Sequence, residues 1–142
     1  DRSLFRASVG VAIAGDTVEV TRTRLRGGRG ADTVSAVTLS ASGNSLFRNR
    51  GAGLHSRGGA ADVSGNTITQ QRGDGIVYDA FTDGTPATGD FRVGDNRVTD
   101  GLGWGILTAA NSDPARIADL GGNIASGNAA GQCSAPIACS AQ

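Results

Sequence analysis

The sequence predicts an all-β chain wound as a parallel β-helix, a solenoid of about six turns with roughly 21–22 residues and three short strands in each. Three observations carry that prediction. Ser3-Leu4-Phe5-Arg6 reappears as Ser45-Leu46-Phe47-Arg48, with Arg24-Leu25-Arg26 halfway between, and a period of this size means one supersecondary unit repeated along an axis. Each period holds three apolar segments that alternate over short stretches, the signature of short strands. Helix formers are scarce, with no Lys, no Met and Glu19 as the one Glu, so long helices are not expected.

The elements follow in order. Leu4, Leu25, Leu46, Ile68, Val98 and Ile124 are the first apolar anchors of successive turns, evenly spaced as far as Ile68 and more widely to Val98 and Ile124. They are expected to lie above one another inside the coil, the two long intervals being a turn plus an insertion. A Gly-apolar pair follows in Gly53-Leu54, Gly75-Ile76 and Gly105-Ile106, one place early in Gly10-Val11, and is missing from the second turn. The third step is Val18/Val20, Val37/Leu39, Ala61/Val63, Phe91/Val93 and Ile117/Leu120. Asn44, Asn66, Asn96 and Asn123 stand just ahead of the first strand. Their neighbours suit the left-handed geometry of a sharp corner, and stacked amides can hydrogen-bond from turn to turn.

Composition excludes several classes. The 23 glycines lack an every-third-residue period, which removes collagen, and the regular Val, Ile and Leu positions argue against disorder. Formal net charge is zero, so the chain as a whole has no field to steer it to nucleic acid or an acidic membrane. No apolar run reaches the length of a membrane span. The 142 residues read as one β-helix domain, 1–142, and as a fragment or C-terminal part, because the repeat is already in phase at Asp1.

Gly65-Asn66-Thr67-Ile68 through Gly75-Ile76, and Gly43-Asn44-Ser45-Leu46 through Gly53-Leu54, resemble the right-handed parallel β-helix repeat of the pectate-lyase-like superfamily. Leu120-Gly121-Gly122-Asn123 through Gln132-Cys133 and Cys139 resembles the C-terminal closing turn of its secreted bacterial members. The resemblance covers almost the whole chain and implies a right-handed coil. It is specific for fold and weak for activity, since the superfamily spans polysaccharide lyases, glycoside hydrolases, uronate epimerases, periplasmic accessory proteins and fibrous surface proteins.

Cys133 and Cys139 are the only cysteines. Their spacing also permits half a metal site, but two more ligands are needed and His55 is far back in the sequence. A disulfide closing the segment 133–142 is the better reading, and it points to an oxidising compartment, secreted, periplasmic or cell-surface. Gly27-Gly28-Arg29-Gly30-Ala31-Asp32-Thr33-Val34-Ser35 matches a calcium nonapeptide, with Asp32 as the candidate ligand. That motif works in tandem copies, so a Gly-rich corner is the simpler reading, and no cofactor is expected.

The main insertion, Tyr78 to Phe91, and the turn after it supply the candidate substrate-binding residues: Arg72, Asp74, Tyr78, Asp79, Asp83, Asp90, Arg92 and Trp104. Ring faces stack on sugar rings, and charged groups bind hydroxyls or carboxylates. No catalytic set is recognisable. The paired Asp and Gly-His-Gly motifs of pectin hydrolases and the Asp-Pro-His-Asp motif of alginate epimerases are missing, and His55 reads as an outward strand residue. Val77 and Leu107 should alternate outward under the 79–90 loop. Phe5 and Phe47 should face outward in equivalent slots with Arg26 between them.

Two functions follow as expectations. One is an extracytoplasmic module that interacts with a polysaccharide or cell-surface glycan, within a lyase, epimerase or hydrolase if it is enzymatic. The other is a non-catalytic scaffold that self-associates end to end into a rod or fibre. Either requires the inward column. Leu46→Asp should therefore unfold the middle of the stack and lower the melting temperature steeply, by more than about 3 kcal/mol of stability; a melting curve that barely moves would remove Leu46 from the core.

Overall fold

The computed structural model describes residues 4–6, 13–26, 34–79, 88–110 and 112–141. The chain is all-β, and the strand pairs are parallel. Six three-residue strands form a narrow sheet: β1 (Leu4–Arg6), β3 (Arg24–Arg26), β5 (Ser45–Phe47), β8 (Thr67–Thr69), β11 (Arg97–Thr99) and β14 (Ile124–Ser126), paired in that order. A broad sheet holds β2 (Ile13–Thr21), β4 (Val34–Ser42), β6 (Leu54–Arg57), β7 (Ala61–Ser64), β9 (Ile76–Asp79), β10 (Phe91–Gly94), β12 (Trp104–Thr108), β13 (Ile117–Gly121) and β15 (Gly131–Cys133). Its order is β13-β10-β7-β4-β6-β9-β12-β15, with β2 beside β4.

Each strand therefore pairs with its counterpart one sequence period away, and the chain coils upon itself. The three-strand expectation is corrected for the coils of β2 and β4. There the second and third strands are fused into one of nine residues. In later coils the insertions at 58–60, 80–90 and 109–116 separate them.

Alternation places the core between the sheets. Leu25, Leu46, Ile68 and Val98 stack in register in the narrow sheet. Val34, Leu54, Ile76 and Ile106 stack opposite them, so Val34 fills the slot where the Gly-apolar pair is missing. Leu39, Ala61 and Phe91 form a third column. All eleven belong to one buried cluster, and full burial of a Leu, Ile or Val contributes about 1.5–3 kcal/mol. The glycine of the Gly-apolar pair is required by close approach: a Cβ on Gly75 would sit 2.2 Å from Val98 Cγ1 and 2.6 Å from the Gly105 carbonyl oxygen.

Four sequence expectations need correction. Leu4 pairs with Arg24 and Phe5 with Leu25, so Phe5 takes the register of the inward column and is not equivalent to Phe47. At the other end Ile124 pairs with Arg97, and the buried Ala125 takes the place opposite Val98. The inward residue is the second after the corner Thr or Asn, and that frame selects Leu25, Leu46, Ile68, Val98 and Ala125. Leu120 is exposed rather than inward, because Asp119 takes the place opposite Val93 and Leu120 is the extra residue at the register shift that follows. The Asp119 carboxylate accepts from Gly121 N (2.9 Å), Asn123 Nδ2 (3.0 Å) and Ala138 N (2.8 Å). Val37 lies at the bend of β4, half-buried outside the column.

Sharp corners flank the narrow strands. Arg22, Gly43, Gly65, Asp95 and Gly122 precede them, and Arg48, Gln70, Asp100 and Gly127 follow them, all with positive φ. At the first corner the expected asparagine ladder is present and buried. Thr23 N donates to Asn44 Oδ1 (2.9 Å), Asn44 N to Asn66 Oδ1 (3.0 Å), Asn66 N to Asn96 Oδ1 (3.1 Å) and Asn96 N to Asn123 Oδ1 (3.2 Å). The amide nitrogens of Asn44, Asn66 and Asn96 donate to Val20 O, Ala41 O and Val63 O. The ladder thus satisfies backbone groups that a corner would otherwise bury without partners.

The expected disulfide joins Cys133 and Cys139. It ties down a segment that covers the last coil. Ala125 N donates to Ser140 O and Ser140 N to Asn123 O, while Ile137 is buried against the core. Among the described residues no helix is long and apolar enough to cross a membrane.

Asn66→Ala removes the acceptor of the Asn44 N–H inside the core. It should cost about 2–4 kcal/mol in denaturant unfolding, at roughly 1–3 kcal/mol per unsatisfied buried group. The exposed neighbour Thr67→Ala should stay within about 0.5 kcal/mol of the parent.

Candidate functional site

The outer face of the broad sheet holds a concave surface among the described residues. Outward positions align from coil to coil as Glu19, Ser40, Asp62, Arg92 and Ala118. Two places earlier on the same face, Thr17 pairs with Thr38. A depression of about 420 Å³ lies there, lined by Thr17, Glu19, Thr38, Ser40, Asp62, Asp90 and Arg92 among others. A second depression of about 340 Å³, lined by Asp90, Arg92, Ala115, Arg116, Ala118 and Leu120, adjoins it through Asp90 and Arg92. Together they form one groove crossing β2, β4, β7, β10 and β13.

The groove's charged groups differ in how they are held. Arg116 Nη1 donates to Asp90 Oδ1 at 3.1 Å. Arg92 Nε stands 3.9 Å from Asp62 Oδ2, with both side chains more than half exposed. That distance exceeds a hydrogen bond, and an exposed pair of this kind contributes little to stability. The Arg92 fork and the Asp62 carboxylate therefore keep their hydrogen-bonding capacity toward solvent. A short helical turn, Pro114–Arg116, positions Arg116, and Asp113 caps it by accepting from Ala115 N at 3.0 Å.

The residues singled out from sequence do not all converge. Asp90 and Arg92 meet in the groove. Asp74 and Trp104 meet elsewhere: Trp104 N donates to Asp74 Oδ1 at 2.6 Å, and the indole lies against Gly131, where a Cβ would be 2.4 Å from its Cζ3. Asp79 Oδ1 is 3.0 Å from His55 Nε2 on the outer face of β6 and β9. Arg72 is exposed at a corner beyond the narrow sheet. Asp83 and Asp32 lie outside the described residues, as does most of the 79–90 loop. Val77 is outward in register and buried, and Leu107 beside it is half-buried.

Tyr78 is corrected from a surface residue to a core one. Its ring is fully buried and stacks on Phe91, with centroids 4.7 Å apart and planes 3° from parallel. Its hydroxyl donates to the Gly89 carbonyl. Tyr78 lies two places beyond Ile76 on the same face of β9, so alternation turns it inward. Burial raises the phenol above its ordinary value near 10, opposed by Arg116 and assisted by Asp90 and Asp113.

Glu19, Asp62 and Arg116 are groove residues that spacing along the insertion does not reveal. A signal exists: Glu19, Ser40, Asp62 and Arg92 each stand four places before the corner Thr or Asn. Among the described residues no three His, Cys, Asp or Glu side chains converge as a metal site would require. No protein-family model, curated protein or solved structure matches the chain.

Tyr78 is the only tyrosine, so its phenolate absorbance reports one group. It should ionise above the ordinary value near 10. The stability contributed by the neutral phenol is complete below the unfolded value and is lost as pH rises through the raised folded value. Tyr78→Phe should therefore flatten the alkaline limb of the stability curve, and an alkaline limb identical to the parent's would assign that loss to other groups.

Proposed function

We propose that the chain is a right-handed parallel β-helix of about six turns, of the pectate-lyase-like kind, and serves as an extracytoplasmic polysaccharide-interacting module. Right-handedness is the rule for parallel crossovers, and the Gly-Asn and Gly-apolar repeat supports the family reading. The disulfide supports an oxidising, extracytoplasmic setting.

The observation that carries the functional reading is the groove shared through Asp90 and Arg92. Five strands at about 4.8 Å spacing give it a length of about 19 Å, suited to several units of a linear polymer. Glu19 and Asp62 accept hydrogen bonds from sugar hydroxyls, and Arg92 donates to hydroxyl or carboxylate oxygens. The Thr, Ser and Ala residues between them let a ring approach the backbone. In a larger lyase, epimerase or hydrolase this surface would hold the polymer. The alternative of end-to-end stacking into a rod is less favoured, because the segment 134–141 covers the last coil.

Affinity electrophoresis against a panel of neutral and acidic polysaccharides tests the proposal. At least one polymer should retard the protein. Arg92→Ala and Asp62→Asn should each weaken that retardation about 10-fold, equivalent to about 1.4 kcal/mol, with unchanged melting temperature. Retardation by none of the panel, or retardation indifferent to both substitutions, would remove the groove as a glycan site.

A further inference from the structure

The zero net charge conceals an uneven distribution of charge. Residues 1–58 contain nine arginines and four acids; residues 59–142 contain four arginines and nine acids. The imbalance is sharpest on the outer face of the narrow sheet and its corners. Three successive coils there, 22–26, 43–51 and 65–73, carry Arg22, Arg24, Arg26, Arg48, Arg50 and Arg72 and no Asp or Glu. All six are exposed, and none makes an ion pair with a described residue. On the fourth coil Asp95 and Asp100 flank Arg97 and end the basic region.

Two of these guanidinium groups are positioned without being neutralised. The guanidinium carbons of Arg26 and Arg48 lie 5.4 and 4.9 Å from the centroid of the Phe47 ring, which is half-buried in the middle of the patch. Arg48 Nε also donates to Gln70 Oε1 at 2.7 Å. A ring and a neutral amide hold the forks in place but leave their charge and their remaining N–H donors. Like charges gathered without counter-charges repel one another, and anions that reach the forks relieve that repulsion.

The shape of the patch selects among anionic partners. Each three-residue strand runs between sharp corners, Gly43 and Arg48 around β5 and Gly65 and Gln70 around β8, all with positive φ. The face is therefore a convex ridge. The charges spread over it in two dimensions. Arg22, Arg24 and Arg26 run along one coil, and Arg48, Arg50 and Arg72 extend over the next two, about 10 Å along the axis. A linear polyanion presents its charges in single file and meets one row at a time. A lipid surface presents anionic headgroups in two dimensions, and it accepts a convex face without a groove to hold it.

We propose that this ridge docks the protein peripherally on an anionic lipid bilayer, through the headgroup phosphates. Guanidinium forks bind phosphate oxygens in pairs, and each arginine near such a surface strengthens binding about 5-fold. At physiological salt the field is screened within about 8 Å. The bilayer thus responds to the coils it touches rather than to the zero sum of the chain. The ridge lies across the core from the broad sheet, so docking leaves the groove open. The proposal stands independently of the glycan reading.

Co-sedimentation of the whole chain with vesicles tests this, comparing phosphatidylcholine alone with an equal mixture of phosphatidylcholine and phosphatidylglycerol. The parent should bind the mixed vesicles only, and should leave them at about 1 M salt, where the screening length falls to about 3 Å. Arg24→Gln and Arg50→Gln lie outside the Phe47 contacts, and each should weaken partitioning about 5-fold, the double variant about 25-fold. Asp95→Asn removes a negative charge at the edge of the patch and should strengthen binding; Asn suits the left-handed corner there. Circular dichroism melting confirms that all three variants fold. No binding of the parent to mixed vesicles, equal binding to both kinds, or binding indifferent to all three substitutions would each overturn the proposal. Binding to heparin or duplex DNA without binding to vesicles would also overturn it, by giving the ridge to a linear polymer.

Discussion

The structure depends on satisfying backbone groups at a corner that no strand can pair. Parallel coils stack at one backbone per level, so a chain that turns sharply must point an N–H into the interior. In this protein the side-chain oxygen of the next coil's asparagine receives it, from Thr23 through Asn123. The left-handed residue before each asparagine sets the bend, and the second residue after it is driven inward. Register, column and corner thus follow from one repeated contact. The corner after the narrow strand lacks an equally continuous ladder, since Gly101 interrupts it between Gln71 and Asn128, and the buried Gln71 Oε1 has no partner.

A regular inside leaves the outside free to vary. Because outward residues on successive coils are brought within a strand spacing, Glu19, Asp62 and Arg92, far apart in sequence, share one surface. The insertions after β9 and β12 add Asp90 and Arg116 at its end. The same regularity makes charge additive along the axis. Arginines on three coils sum to a basic strip, and aspartates on the following coil end it. The outward side chains of both surfaces alternate with the inward columns, so they can change without repacking the core.

Much of the fold was legible because it repeats. Parallel strands, inward Leu25, Leu46, Ile68 and Val98, the asparagine ladder and the disulfide all follow from periodicity and residue type. The errors at Leu4 and Ile124 arose from aligning apolar residues alone. A leucine one place from the column looks like a member of it, whereas the asparagine frame separates them. Leu120 misled for a different reason. Asp119, its carboxylate bound to three N–H groups, takes the place opposite Val93, and the register shift that follows leaves Leu120 as an extra residue; neither is visible in an apolar pattern. The candidate site was less legible. Tyr78 belongs to the core by alternation, but its place at the start of an insertion suggested the surface.

The sequence by itself determined the period, the identity of the corner residues and most of the buried columns, because these depend on contacts repeated once in every coil. Tertiary structure alone decided which outward side chains meet. Outward positions carry no periodic constraint, and their neighbours are set by the length of each insertion. The excess of arginine in the first part of the chain and of aspartate in the second is already in the sequence, but which outward faces carry those charges was decided by the stacking of the coils.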